Sequence, residues 1–260
     1  MAEEERPLIL VCNDDGINAK GLRALAEALA PLGEVAVVAP DRERSAAGHS
    51  LTLSHPLRVA PVDAGWYSVD GTPTDCITLA VMEVLPRRPA LVAAGINHGS
   101  NLGDDITYSG TVSSAIEATL QGIPAFAISL AGEAEYDFRG AAAAARRLAT
   151  EILRRGLPRK TLLNVNVPNL PPEALRGVVA TRQGHRIYSE TVIRKIDPRG
   201  RAYYWIGGAT PTWEQLHGTD YEAVTAGWVS VTPLHLDLTN HGALDELQSW
   251  GLSLNGAAPG

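Results

Sequence analysis

Leu8-Ile9-Leu10-Val11-Cys12 is an unbroken apolar run that turns abruptly into Asn13-Asp14-Asp15-Gly16. Five apolar residues without alternation suit a strand buried on both faces, and the glycine-closed polar corner suits the loop at its carboxyl end. Leu22, Leu25, Ala26, Leu29 and Leu32 then recur at spacings of three and four, which predicts a helix over Lys20–Leu32 stopped by Gly33. Glu34–Ala39 is a second strand, closed by Pro40. The rhythm continues with strands at Tyr67–Val69, Leu91–Ala94, Pro124–Leu130 and Leu162–Val167. Helices open at Thr72-Pro73-Thr74-Asp75 and span Thr111–Gln121 and Phe138–Arg155. Thr72 suits a cap, Pro73 the first helical position and Asp75 the positive helix end. Strand and helix in this alternation predict βαβ units with right-handed crossovers, hence an α/β, doubly wound, mostly parallel, Rossmann-like sheet.

After about residue 180 the rhythm changes. Tyr188, Tyr203, Tyr204, Trp205, Trp213, Tyr221 and Trp228 put half of the aromatics into residues 181–228. The expected division is a catalytic core over residues 1–180 and a β-rich, aromatic-rich extension over 181–260 that returns in part to the core. Aromatics so placed suit a subunit interface, a pocket wall or a local mini-core. Trp228–Leu238 is a strand candidate, and Pro233 within it suggests an edge or a bend.

Composition removes several functions. With 22 Lys and Arg against 29 Asp and Glu, the net charge is −7. That balance disfavours duplex nucleic acid and polybasic membrane anchoring. No run reaches the roughly 18–20 apolar residues of a membrane span. The acidic start Met1-Ala2-Glu3-Glu4-Glu5 is unlike a secretory signal, so a cytoplasmic location is expected. Two cysteines, Cys12 and Cys76, make neither a disulfide framework nor a thiolate metal site, and read as buried thiols.

Ligands of an open parallel sheet collect at the carboxyl ends of its strands, and three polar clusters follow strands here. Asp14 and Asp15 repel each other unless a proton or cation offsets them; oxygen donors suit a hard cation, although Asn and Asp also favour plain turns. Pro40–Ser50 carries Ser45 and His49 in a polar loop that could equally be only solvated. Gly95-Ile96-Asn97-His98-Gly99-Ser100-Asn101-Leu102-Gly103-Asp104-Asp105 leads to Tyr108-Ser109-Gly110-Thr111 at a helix start. This is neither a dinucleotide fingerprint nor a Walker A loop. Ser109, Gly110 and Thr111 make a good phosphate cradle, or a simple helix cap. Carboxylates, amides, hydroxyls and an anion cradle on one rim suit metal-assisted attack on a phosphate ester. The seven basic residues between Arg139 and Lys160 read as a solvated helix face.

Taken together, Asn13-Asp14-Asp15-Gly16, Ala39-Pro40-Asp41, Arg44–Ser50, Gly71–Cys76, Gly95–Gly103, Tyr108–Thr111 and Asn164–Pro168 stand in the order that resembles the survival protein SurE family. The resemblance covers about residues 7–240; Ala94-Gly95 departs from the Ser-Gly of many members. It implies a divalent-cation-dependent phosphatase acting on nucleoside 5′- and 3′-monophosphates, with short polyphosphate as a further substrate of some members. It implies Asp14, Asp15, Ser45 and Asn97 as ligands of one Mg²⁺ or Mn²⁺ per subunit, and phosphate near Asn101, Ser109, Gly110 and Thr111. It also implies dimers or tetramers formed through the C-terminal part. Asp14 or Asp15 is the expected catalytic proton acceptor, with His49 or His98 assisting the leaving group or giving only support. A non-catalytic nucleotide or anion sensor is the alternative. A nicotinamide-dependent oxidoreductase is disfavoured by the missing glycine fingerprint, and a haloacid-dehalogenase-like phosphatase by the adjacency of Asp14 and Asp15.

Overall fold

The computed structural model describes residues 6–132, 135–187, 192–206 and 212–252. Its centre is β1 (Leu8–Cys12), every residue of which is buried. Parallel neighbours flank it: β2 (Glu34–Pro40) on one side and β5 (Leu91–His98) on the other. With β3 (Val59–Asp63), β4 (Trp66–Val69), β6 (Ala125–Ala131), β7 (Thr161–Pro168), β8 (Val178–Ala180) and β13 (Val229–His235), the nine-stranded order is β3-β4-β2-β1-β5-β6-β7-β13-β8. Chain order reverses between β1 and β5, which creates a crevice at their carboxyl ends.

Helices cover both faces. α1 (Lys20–Leu29) and α4 (Phe138–Arg155) close one core with Val11, Val37, Phe126 and Ile128. α2 (Pro73–Leu79) and α3 (Gly110–Leu120) close the other with Leu10, Val38 and Val92. Leu22, Leu25 and Leu29 of α1 are wholly buried, and each such burial contributes roughly 1.5–3 kcal/mol. α2 starts as its sequence dictates: Thr72 accepts from the Asp75 amide, Asp75 accepts from the Thr72 amide, and Pro73 needs no partner. Cys12 and Cys76 are buried free thiols. Arg139, Arg146, Arg147, Arg154, Arg155, Arg159 and Lys160 are all exposed.

Three elements differ from the sequence pattern. α1 ends at Leu29, and Leu32 packs on the core from a turn closed by its amide on the Leu29 carbonyl. β5 continues past Ala94: a register shift between Ala94 and Asn97 lets Asn97 and His98 pair with Ser129 and Leu130. The Gly95–His98 part of the third polar cluster is therefore strand, not loop. β3 is an exposed antiparallel edge with no burial pattern to reveal it.

β13 pairs antiparallel with β7 along its length but with β8 only over Val229–Val231, so Pro233 sits where β13 has become an edge. The intervening segment holds β9 (Arg186–Ile187) paired with β12 (Thr212–Trp213), a hairpin of β10 (Val192–Ile196) and β11 (Ala202–Ile206), and α5 (Asp220–Thr225). α6 (Leu244–Ser249) follows β13. Tyr188 lies outside the described residues. Among the described residues no helix is long and apolar enough to cross a membrane.

Candidate active site at the β1–β5 crevice

The corner after β1 closes when Asn13 Nδ2 donates to the Gly16 carbonyl at 3.1 Å. Gly16 has φ +96°, and a Cβ there would stand 2.9 Å from the Arg42 carbonyl carbon, so both conformation and space select glycine. The Arg44 amide donates to the Asp14 carbonyl at 2.7 Å, which ties the Ser45 loop to the end of β1.

Asp14 is 5% exposed and stands against the first turn of α3. The Thr111 hydroxyl donates to Asp14 Oδ1 and lies 3.3 Å from Asn97 Oδ1, so a single buried hydroxyl links two candidate ligands. Asn97 Nδ2 donates to the Gly99 carbonyl at 3.0 Å, which orients its oxygen. Asp15 is held by His98 twice: Nδ1 lies 3.2 Å from Oδ1 and the amide 3.2 Å from Oδ2. The His98 ring packs against both Tyr136 and Phe138, at 5.1 and 5.3 Å between centroids.

Burial raises the Asp14 carboxyl to about 6; Asp15 adds to the rise and the Thr111 hydroxyl opposes it. Burial raises Asp15 as well, opposed chiefly by His98. Two neighbouring carboxyls pushed up by desolvation form a place that a cation would stabilise. Among the described residues no group of three or more His, Cys, Asp or Glu forms a metal cluster. The candidate set is two carboxylates with amide and hydroxyl oxygens, the donor chemistry of a hard divalent cation rather than of zinc.

Asp14, Ser45, Asn97, Asn101 and Ser109 line one cavity of about 410 Å³ together with Asp105, Tyr108 and Arg186. Ser45 Oγ donates to Glu43 Oε1 at 2.7 Å within this rim. Asn101 is braced by buried amides: its N–H donates to Asn166 Oδ1, its carbonyl accepts from Asn164 and Asn166, and its side chain donates to Ser129. Ser109 caps α3 by accepting from the Val112 amide at 3.1 Å, which leaves its O–H as a donor. Gly110 and Thr111 lie one layer deeper, against Asp14, and the Thr111 hydroxyl is directed at a carboxylate rather than into the cavity. His98 lines the cavity, whereas His49 bonds Glu117 of α3 at 3.0 Å and does not line it. Asp105, Tyr108 and Arg186 carry no role in the sequence reading; Arg186 had no local signal beyond its place in the aromatic-rich segment.

The family model described as "Survival protein SurE" matches residues 9–190. The 5′-nucleotidase SurE of Geobacter sulfurreducens is 61% identical over 246 residues, which are 94% of this chain and 94% of that protein. The 5′-nucleotidase SurE of Pelobacter propionicus is 56% identical over 243 residues, 93% of this chain and 98% of that one. The crystal structure of the SurE protein from Aquifex aeolicus superposes with a TM-score of 0.84 at 46% identity, covering 94% of this chain and 99% of that chain.

Proposed function

The chain belongs to the SurE family, and from that premise we propose that it is a divalent-cation-dependent 5′-nucleotidase, a phosphomonoesterase that splits nucleoside monophosphates into nucleoside and inorganic phosphate. The observation that carries the reading is the buried Asp14 carboxyl, shared through Thr111 with Asn97 and facing the same cavity as Ser109 and Asn101. Asp14, Asp15, Ser45 and Asn97 would hold the cation, Mg²⁺ or Mn²⁺. When bound, the cation polarises a phosphoryl oxygen and acidifies a water.

The remaining steps belong to the chain. The O–H of Ser109 and the first turn of α3 meet the charge that spreads over the phosphoryl oxygens. Asn101 presents its side chain from a backbone clamped by Asn164 and Asn166, so little reorganisation accompanies substrate entry. Asp14 would be ionised beside the cation, and it or Asp15 would accept the proton of the attacking water. His98 keeps Asp15 in place. Hydrolysis of 3′-monophosphates and of short polyphosphate belongs to the same proposal, since the proposed contacts, Ser109 and Asn101, would serve the phosphoryl group that these substrates share.

Self-association is proposed for the extension. Val192, Ile193, Ile196, Tyr203, Tyr204, Trp205 and Ile206 of the β10–β11 hairpin are all exposed. A second copy of the chain is the natural cover for such an apolar surface. Light scattering of the purified protein should give a dimer or tetramer mass; a monomer would refute it. Phosphate release from nucleoside 5′- and 3′-monophosphates and short polyphosphate, with Mg²⁺, Mn²⁺ or chelator, tests the chemistry. Cation-dependent release from a nucleotide is expected, and release undiminished by chelator would overturn the mechanism.

A further inference from the structure

The cavity contains an imbalance of charge. Asp14 and Asp105 line it, and among the described residues lining it Arg186 is the one Lys or Arg. A phosphomonoester brings roughly −1.5 to −2 charges into this acidic space. Arg186 comes from β9, in the C-terminal extension, far along the chain from Ser109, the last of the other lining residues.

Its backbone is braced unusually well for that segment. The Arg186 amide donates to Asp104 Oδ2 at 3.1 Å. The buried Asp220 carboxylate accepts from the Gly184 amide at 2.9 Å and from the Gly103 amide at 2.8 Å, which clips the approach to β9 onto the turn Gly103–Thr107. The two chains meet so closely that a Cβ on Gly103 would lie 2.7 Å from the Gly184 carbonyl oxygen and 2.6 Å from the Trp213 ring. One guanidinium nitrogen of Arg186 contacts both Asp105 oxygens at 2.8 Å, and both side chains are under one-third exposed.

We infer that Arg186 is a substrate-binding residue whose guanidinium, held at the cavity wall by Asp105, meets the phosphate of the incoming nucleotide. A guanidinium matches phosphate oxygens as well as it matches a carboxylate. Asp105 therefore competes with substrate for the same group while keeping it aimed. This inference rests on the phosphatase reading above.

Arg186→Gln, Arg186→Lys and Asp105→Asn separate binding from mere tethering. With Mn²⁺ and a nucleoside 5′-monophosphate, Arg186→Gln should raise KM about tenfold or more, with kcat changed less than about threefold. Calorimetry should show affinity for inorganic phosphate weakened in parallel, and Arg186→Lys should recover part of both. Asp105→Asn removes the competitor and should lower KM. A thermal melt of each variant confirms folding. Arg186→Gln with KM and phosphate affinity unchanged would overturn the inference, as would Asp105→Asn raising KM as much as Arg186→Gln, since the pair would then be a tether only. A wild type that releases no phosphate would instead overturn the phosphatase reading itself.

Discussion

Gly110→Ala is the most direct probe of how α3 and Asp14 share space. A methyl at this first helical position would stand 2.7 Å from Asp14 Cβ, 2.9 Å from Asp14 Oδ2 and 3.1 Å from Pro73 Cγ. Carbon atoms prefer roughly 3.5–4.0 Å, so the overlap with Asp14 is about 1 Å. A rotamer change cannot relieve it, because Cβ is set by the backbone and the Asp14 carbonyl is tied to the Arg44 amide. Turning the carboxylate away from the methyl also takes Oδ1 off Thr111. Helix propensity alone would favour alanine by up to about 1 kcal/mol, while overpacking costs about 1–3 kcal/mol. The net change in stability is therefore small. Activity is another matter, since a displacement of about 1 Å at reacting groups costs roughly 100-fold. The assay is kcat/KM for nucleotide hydrolysis with Mn²⁺, beside urea unfolding of the same samples. A folded Gly110→Ala protein within fivefold of wild-type kcat/KM would refute the claim that this contact positions the proposed catalytic carboxyl, Asp14.

Other perturbations reach the same centre from different sides. In chelator, the raised Asp14 carboxyl makes the folded protein bind more protons than the unfolded chain between about pH 4 and 6. Wild type should therefore lose about 3 kcal/mol relative to Asp14→Asn as pH rises through that window, at about 1.4 kcal/mol per unit; parallel urea titrations at pH 4 and 7 measure it, and an unchanged difference would contradict the burial argument. Thr111→Val fills the same space but deletes the hydroxyl shared by Asp14 and Asn97, and should weaken Mn²⁺ binding roughly 10–100-fold by calorimetry. His98→Phe should keep the packing on Tyr136 and Phe138 and the backbone amide on Asp15 Oδ2 while removing the ring nitrogen from Asp15 Oδ1, lowering kcat/KM by roughly 10–100-fold; equal activity with a normal melt would make the His98 ring a packing group only.

Much of this was legible in the sequence, for reasons that can be named. Leu8–Cys12 announces a strand because a parallel sheet buries both faces, and Asn13–Gly16 must then fall at its carboxyl end. Asp14, Ser45, Asn101 and Ser109 follow three separate strands, Asn97 lies near the end of one of them, β5, and the topology brings those strand ends to one rim. Two things escaped. The depth of each residue was invisible: Thr111 reads as a phosphate donor because hydroxyls at helix starts commonly are, yet its proton goes to Asp14. Arg186 escaped because its position depends on contacts between distant segments, Asp220 with Gly103 and Gly184, that no local spacing encodes. Pro233 shows the opposite case: a local steric rule marked an edge that β8 confirms by stopping at Ala180.

Charge connects these observations. A chain of net −7 should repel an anionic substrate, and two of its carboxyls, Asp14 and Asp105, stand in the cavity wall. Yet burial makes ionised Asp14 and Asp15 unfavourable on their own, with Asp15 adding to the effect at Asp14 and Glu43 at Asp15. The same terms that raise their pKa favour a divalent cation, which would offset both charges at once. Arg186 engages Asp105 in the same way. With those two compensations the wall would present a net attraction confined to a few ångströms, beyond which the acidic surface and salt screening would dominate. A small phosphate ester can enter such a spot. A long nucleic acid would gain little from it, because on a chain of net −7 most of its phosphates would find no matching cations.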